Sequence, residues 1–163
     1  MNAPLPSSLR FDIQCLAKAV AHCHASDALR CQLSQPNWEI LASYMQPFAL
    51  NSGQVLMEQG AQDRTLYFIE SGTLSVHYQD EKSRVRMAMV GAGSVVGEGA
   101  FFSHMPRSAT VQASTACKLW CLTATRFLEL ANRHSPIALE LTMAMGAVMA
   151  KRLYNRPKRV AVT

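Results

Sequence analysis

Between positions 97 and 111 the chain reads GEGAFFSHMPRSATV, a small and apolar segment that holds one carboxylate, Glu98, and one guanidinium, Arg107. Gly97 and Gly99, with Ala100, keep side chains off the backbone, so amide N–H groups there can approach a ligand closely. A helical turn starting at Glu98 would leave those amides without intrahelical acceptors, which favours an anion. Arg107 adds a permanent charge on a planar fork that matches a phosphate. Pro106 fixes the approach to Arg107, and Ser108 adds a hydroxyl. Glu98 would repel a phosphate; ionised, it can only accept a hydrogen bond, so it suits a hydroxyl donor. A ligand with one phosphate beside one sugar hydroxyl satisfies both groups together. An internal Glu98–Arg107 ion pair is the competing reading, although a buried pair often adds no stability over an apolar replacement.

Elements of three kinds must position these residues. Leu9, Ile13, Leu16 and Val20 recur at spacings of four, three and four, one apolar stripe on an amphipathic helix that ends near HAS at 24–26. NWEILASYM predicts a second short helix with Pro36 and Asn37 at its start, and Pro47 closes the helical region. From residue 48 to about 122 short β-type runs follow: GQVLME, TLYFIE, TLSVHY, RVRMAMV, SVVG, ATVQAS and KLWCLT. Glycines at 53, 60, 72, 91 and 93 punctuate them at intervals suited to tight turns. Such a pattern predicts a sandwich or rolled barrel, and the lack of βαβ alternation excludes a doubly wound sheet. TATRFLELANRH then reads as a helix, and Ser135–Pro136 caps another. Between Ile137 and Ala150 the only charge is Glu140, so this last helix must be covered on more than one side. One face can cover the barrel; the other predicts the same helix of a second subunit.

The segment resembles the phosphate-binding cassette of the cyclic nucleotide-binding domain family, of catabolite-activator and protein kinase A regulatory-subunit type. The family pattern G-E-x-A, five variable residues, then P-R-x-A-T-V is met by Gly97, Glu98, Ala100, Pro106, Arg107, Ala109, Thr110 and Val111. Those matches at fixed spacing have a chance frequency on the order of 10⁻⁹ per start position at ordinary residue usage. Gly53, Leu56, Gly60, LYFI at 66–69, Gly72 and Val76 resemble the first half of the family's β-roll, and the similarity runs over roughly residues 38 to 155. The resemblance implies an α+β, mainly β fold: a β-roll or jelly roll of about eight strands flanked by N-terminal helices and two C-terminal helices. It divides the chain into an N-terminal helical lead at 1–36, a cyclic nucleotide-binding domain at 37–155 and a basic tail at 156–163.

By the same resemblance Glu98 holds the ribose 2′-hydroxyl and Arg107 the cyclic phosphate, with Gly97, Gly99, Ala100, Ser108 and Ala109 completing the cradle. Gly99 stands where the family usually has a bulky aliphatic residue. The place of the helix C threonine that reads adenine in the catabolite activator falls near Arg156, so Arg152, Tyr154 and Arg156 are the candidate base caps. Ser108 does not separate cAMP from cGMP. Eight residues follow Asn155, too few for a helix-turn-helix, so sequence-specific DNA binding is not expected. The implied protein is a non-enzymatic sensor that needs no cofactor or metal, pairs through the helix at 136–154, and shifts between helix arrangements read by an effector protein. An orphan scaffold that binds no nucleotide is the alternative on the same fold.

Length and composition fit this reading. A chain of 163 residues points to one domain, and 49% apolar with 17% charged residues argues against disorder. No apolar run approaches a membrane span, and MNAPLPSSLRF lacks the basic start of a secretory signal, so a cytoplasmic protein is expected. The net charge of +5 sits in the last thirteen residues, where Lys151, Arg152, Arg156, Lys158 and Arg159 stand without an acid. Those cations suit the C-terminal end of a helix dipole. Cys15, Cys23 and Cys31 raise a cysteine-based redox or iron–sulfur sensor as a second alternative, but their spacing of eight and eight is unlike the tight clusters such sites use. Reduced thiols packed as small hydrophobes account for all five cysteines. HCH at 22–24 places its residues on diverging faces of a helix. No Ser–His–Asp set, phosphate-binding loop of NTPase type or paired carboxylates stands out.

Overall fold

The computed structural model describes residues 10–155. Leu9, Arg156 and the basic tail at 156–163 lie outside the described residues. Two helices open the described chain: α1 (Ile13–His22) and α2 (Gln35–Ala42). Each starts on a side-chain cap, Asp12 accepting from the Gln14 N–H and Ser34 from the Asn37 N–H, which satisfies amides that the first turn leaves without partners. Ile13, Leu16 and Val20 of the expected stripe are buried. The helix stops at His22, a few residues before the HAS segment ends.

Eight strands follow: β1 (Gln46–Leu50), β2 (Val55–Met57), β3 (Leu66–Ser71), β4 (Thr73–Gln79), β5 (Val85–Gly91), β6 (Val95–Val96), β7 (Thr110–Ala113) and β8 (Cys117–Leu122). They form two four-stranded sheets, β1-β8-β3-β6 and β2-β7-β4-β5, and every pairing is antiparallel. The two sheets remain separate and do not close into one barrel. β1 is the strand that the sequence did not announce, because Pro47 reads as a stop. It lies at a sheet edge, where a missing N–H is tolerated.

Strands β3, β6 and β8 of the first sheet carry buried residues on both faces, whereas edge strand β1 is mostly exposed. Leu66, Phe68, Val95, Trp120 and Leu122 face the helices; Leu50, Ile69, Val96, Cys117 and Leu119 face the second sheet. Period-two alternation along β3 and β8 therefore separates two cores with one set of strands. The outer face of the second sheet is open: Val85, Met87 and Met89 of β5 are exposed, while Ala88 and Val90 turn inward.

Between β6 and β7 lies α3 (Glu98–Ser103); after β8 come α4 (Ala124–Arg133), capped by Thr123, and α5 (Ser135–Asn155). Ile137, Leu141, Ala144, Met145 and Val148 of α5 join the helical core with α1 and α4. The segment before α1 is held on the first sheet by a polar network. Trp120 donates its indole N–H to buried Glu70 over 3.1 Å, and Lys118 pairs with the same carboxylate at 3.0 Å. Phe11 stands edge-on to Trp120 beneath the Lys118 ammonium. Among the described residues no helix is long and apolar enough to cross a membrane.

Candidate functional site

A cavity of about 260 Å³ opens between the inner face of the second sheet and the segment from Gly97 to Ala109. Met57, Val76, Tyr78, Ala88, Val90 and Val111 give it an apolar wall. Gly97, Glu98, Gly99, Ala100, Arg107, Ser108 and Ala109 line it as well, together with Arg152 from the end of α5. All seven cassette residues singled out from the sequence thus meet in one place. A broader depression of about 740 Å³ between α1 and the segment at 29–35 contains none of them.

Arg107 is 2% exposed, and its burial is possible because its neighbours are fixed around it. Its main chain is clamped on the connection between β2 and β3: Gly60 donates to the Arg107 carbonyl and the Arg107 N–H donates to Ala61. Its Nη2 donates to the Asp63 carboxylate and to the Thr65 carbonyl, and its Nη1 to the Gly97 carbonyl at 3.1 Å. Gly97 has φ +90°, and a Cβ there would stand 2.6 Å from Nη1 and 2.7 Å from the Thr65 oxygen. Only glycine allows this approach. The remaining nitrogen, Nε, has no acceptor among the described residues. A buried, unsatisfied charged donor carries a desolvation cost of about 1–3 kcal/mol or more.

Burial alone would raise the Asp63 carboxyl, but hydrogen bonds from Arg107 and from the Thr65 hydroxyl and N–H outweigh it, and the group titrates below its usual range. Asp63 and Thr65 escaped the sequence reading. Their only signal is a polar QDRT segment before a strand, which is ordinary loop composition.

Glu98 begins α3, so the helical turn considered there is present, and no side-chain cap closes that end of the helix. Arg64 supports the same element from its other side, donating from Nε and Nη2 to the Phe101 carbonyl. Glu98 and Arg107 do not pair with each other, which corrects the ion-pair reading. Glu98 instead accepts from Arg152 Nη1 at 2.6 Å, and Arg107 is paired with Asp63. The two charges are separated because each has a carboxylate or guanidinium from a distant segment. Arg152 therefore neutralises Glu98, and the repulsion that Glu98 would exert on a phosphate is compensated.

Of the candidate base caps, Arg152 lines the cavity, Tyr154 is exposed and is not among its lining residues, and Arg156 lies outside the described residues. Burial opposes the charge on Arg152, but Glu98 and then Asp27 overcome it and hold the guanidinium more firmly protonated than usual. The cysteines are free thiols: Cys15 is exposed, and burial pushes both Cys31 and Cys121 up to about 12. Among the described residues no three His, Cys, Asp or Glu side chains are grouped as metal ligands would be.

The sequence model of the Cyclic nucleotide-binding domain matches residues 47–134. The cAMP-activated global transcriptional regulator CRP of Escherichia coli O6:H1 is 29% identical over 129 residues, which cover 78% of this chain and 60% of the regulator. A cGMP-dependent protein kinase of Plasmodium berghei is 33% identical over 98 residues, 58% of this chain and 11% of the kinase. The chain thus spans about 60% of the length of the first of these relatives and far less of the second. A crystal structure of a cyclic nucleotide-binding domain from Methylobacillus flagellatus superposes with a TM-score of 0.78 at 23% identity, over 91% of this chain and 84% of that one. That likeness bears on the fold alone.

Proposed function

The chain belongs to the cyclic nucleotide-binding domain family, and from that premise we propose that it is a sensor of a cyclic mononucleotide, cAMP or cGMP, which catalyses nothing and acts through a protein partner. The observation that carries this reading is Arg107: a buried guanidinium, held on three sides by the chain, in a residue that lines the cavity. A cyclic phosphate supplies the anion that suits this positive charge. Glu98, compensated by Arg152, supplies an acceptor for a ribose hydroxyl. The apolar wall formed by Met57, Val76, Val90 and Val111 takes the faces of the sugar and base.

α5 carries the second half of the function. Its inner face lies in the core, yet Leu139, Met143 and Leu153 are 63%, 67% and 69% exposed on the opposite side. A second copy of the same helix is the occupant that this stripe suits, and the end of α5 also delivers Arg152 to the cavity. Ligand occupancy and the arrangement of paired helices are thereby joined in one element.

Titration calorimetry with cAMP and cGMP separately, on wild type and Arg107→Ala, tests the reading. The wild type should bind at least one nucleotide saturably, and the variant should bind it roughly 10- to 100-fold more weakly, the scale of a lost charge-assisted hydrogen bond. Circular dichroism on the variant separates lost affinity from lost fold. Silence from the wild type with both nucleotides, and no thermal shift from either, overturns the sensor and leaves an orphan scaffold.

A further inference from the structure

The geometry points to Asp27, in the connection between α1 and α2, as a positioning residue of the nucleotide site, acting through Arg152. This deepens the nucleotide-binding reading and rests on it. Asp27 lies outside the matched segment at 47–134, yet it touches the group that compensates Glu98. Each nitrogen of the Arg152 guanidinium has its own acceptor from a different part of the chain. Nε donates to Asp27 Oδ2 at 2.7 Å, Nη1 to Glu98 Oε1 at 2.6 Å, and Nη2 to the Val95 carbonyl at 2.8 Å.

Three contacts of this kind fix the plane of the fork. Arg152 needs such fixing, because it stands in the last turn of α5 beside exposed Leu153 and Tyr154, on a long side chain with many rotamers. Asp27 holds the Nε edge, so that the opposite edge faces the cassette. Without that hold the guanidinium gains freedom, Glu98 loses its compensation for part of the time, and a phosphate meets a bare carboxylate in the same cavity.

Two further features seat the chain around Asp27 independently of Arg152. Asn155 donates to the Ser26 hydroxyl at 3.4 Å, which ties the end of α5 to the residue before Asp27. Gly93, just before β6, lies so close to the end of α1 that a Cβ there would be 2.3 Å from the Ala19 carbonyl. The N-terminal helical layer is therefore seated against both the strand that supplies Val95 and the helix that supplies Arg152. Coupling is reciprocal, so what Asp27 contributes to ligand affinity the ligand returns as firmer seating of this layer.

The test is calorimetric titration of the full chain with cAMP and with cGMP, using wild type, Asp27→Ala, Arg152→Ala and the double variant, with Arg107→Ala as control. Asp27→Ala should weaken binding roughly tenfold, within the usual range of coupling between linked groups. The double variant should bind no more weakly than Arg152→Ala alone, and Asp27→Glu should restore part of the affinity. A purely structural role would instead multiply the two single losses. Asp27→Asn, which keeps the shape and loses the charge, replaces Asp27→Ala if the latter does not fold. Wild-type affinity in the Asp27 variants, or multiplied losses in the double variant, with Arg107→Ala still defective, overturns the positioning role alone. A wild type that binds neither nucleotide overturns the nucleotide reading and this role with it.

Discussion

Two arginines divide the chemistry of the cavity, and each owes its position to a carboxylate far away in sequence. Arg107 is set by Asp63, 44 residues earlier, and Arg152 by Glu98 and Asp27, 54 and 125 residues earlier. The Asp63 pairing has a consequence that pH can read. Its carboxyl titrates below its usual value in the folded protein, so its contribution to stability is complete above the unfolded value near 4 and is lost as pH falls through the lower folded value. Asp63→Asn should therefore lower the melting temperature by a constant amount from neutral pH to about 5, and the gap to wild type should close on further acidification. Because the Asp63 side chain is 42% exposed, the part of the gap that titrates corresponds to only about 1 kcal/mol. Melting curves from pH 7 to 3 on both proteins check this, and a gap that widens towards acid contradicts it. The contrast in legibility follows from the same distances. Glu98 and Arg107 could be read because the cassette is contiguous, with its glycines and proline at fixed offsets. Asp63 and Asp27 could not, since nothing in a linear pattern pairs an acid in one polar loop with a guanidinium on another element.

At the scale of elements, strand periodicity and glycine spacing located seven of the eight strands, and apolar patterning with start signals located four of the helices; the fifth, α3, was legible only as a candidate turn starting at Glu98. What escaped was β1, where Pro47 argues locally for a stop and the sheet edge overrules it. The glycines read as turn markers are of two kinds that the sequence cannot separate. Gly53 and Gly93 both have positive φ, +87° and +84°, but a Cβ on Gly53 would meet nothing within 4 Å, whereas one on Gly93 would enter the α1 backbone. Gly53→Ala should then cost only the backbone strain, about 1–3 kcal/mol. Gly93→Ala should cost clearly more, because α1 must move off the first sheet as well. Urea denaturation of the two variants measures the difference, and equal costs would mean that α1 yields without loss.

For the whole molecule the element that matters most to the proposed function is α5, which is apolar on two sides. Ile137, Leu141, Ala144, Met145 and Val148 close the core, while Leu139, Met143, Gly146, Ala150 and Leu153 form a second stripe at spacings of four, three, four and three, all exposed. That rhythm suits the seam of the proposed helix pair, and Gly146, with open space around its missing Cβ, would let a second backbone come close. A helix of 21 residues offers a seam about 30 Å long. The lack of charges from Ile137 to Ala150 apart from Glu140 made a two-sided helix legible in the sequence, and Glu140 proves to be used inward, accepting from the Gln32 N–H at 2.9 Å. If two copies pair along this seam, wild type should sediment as a dimer at micromolar concentration. Leu139→Glu with Met143→Glu should then give a monomer that keeps its fold, since both side chains point away from the core. The cavity should survive in that monomer, because neither residue lines it. Sedimentation velocity decides the matter: a monomeric wild type, or a variant that remains dimeric, removes α5 as the interface and with it the route from ligand to paired helices.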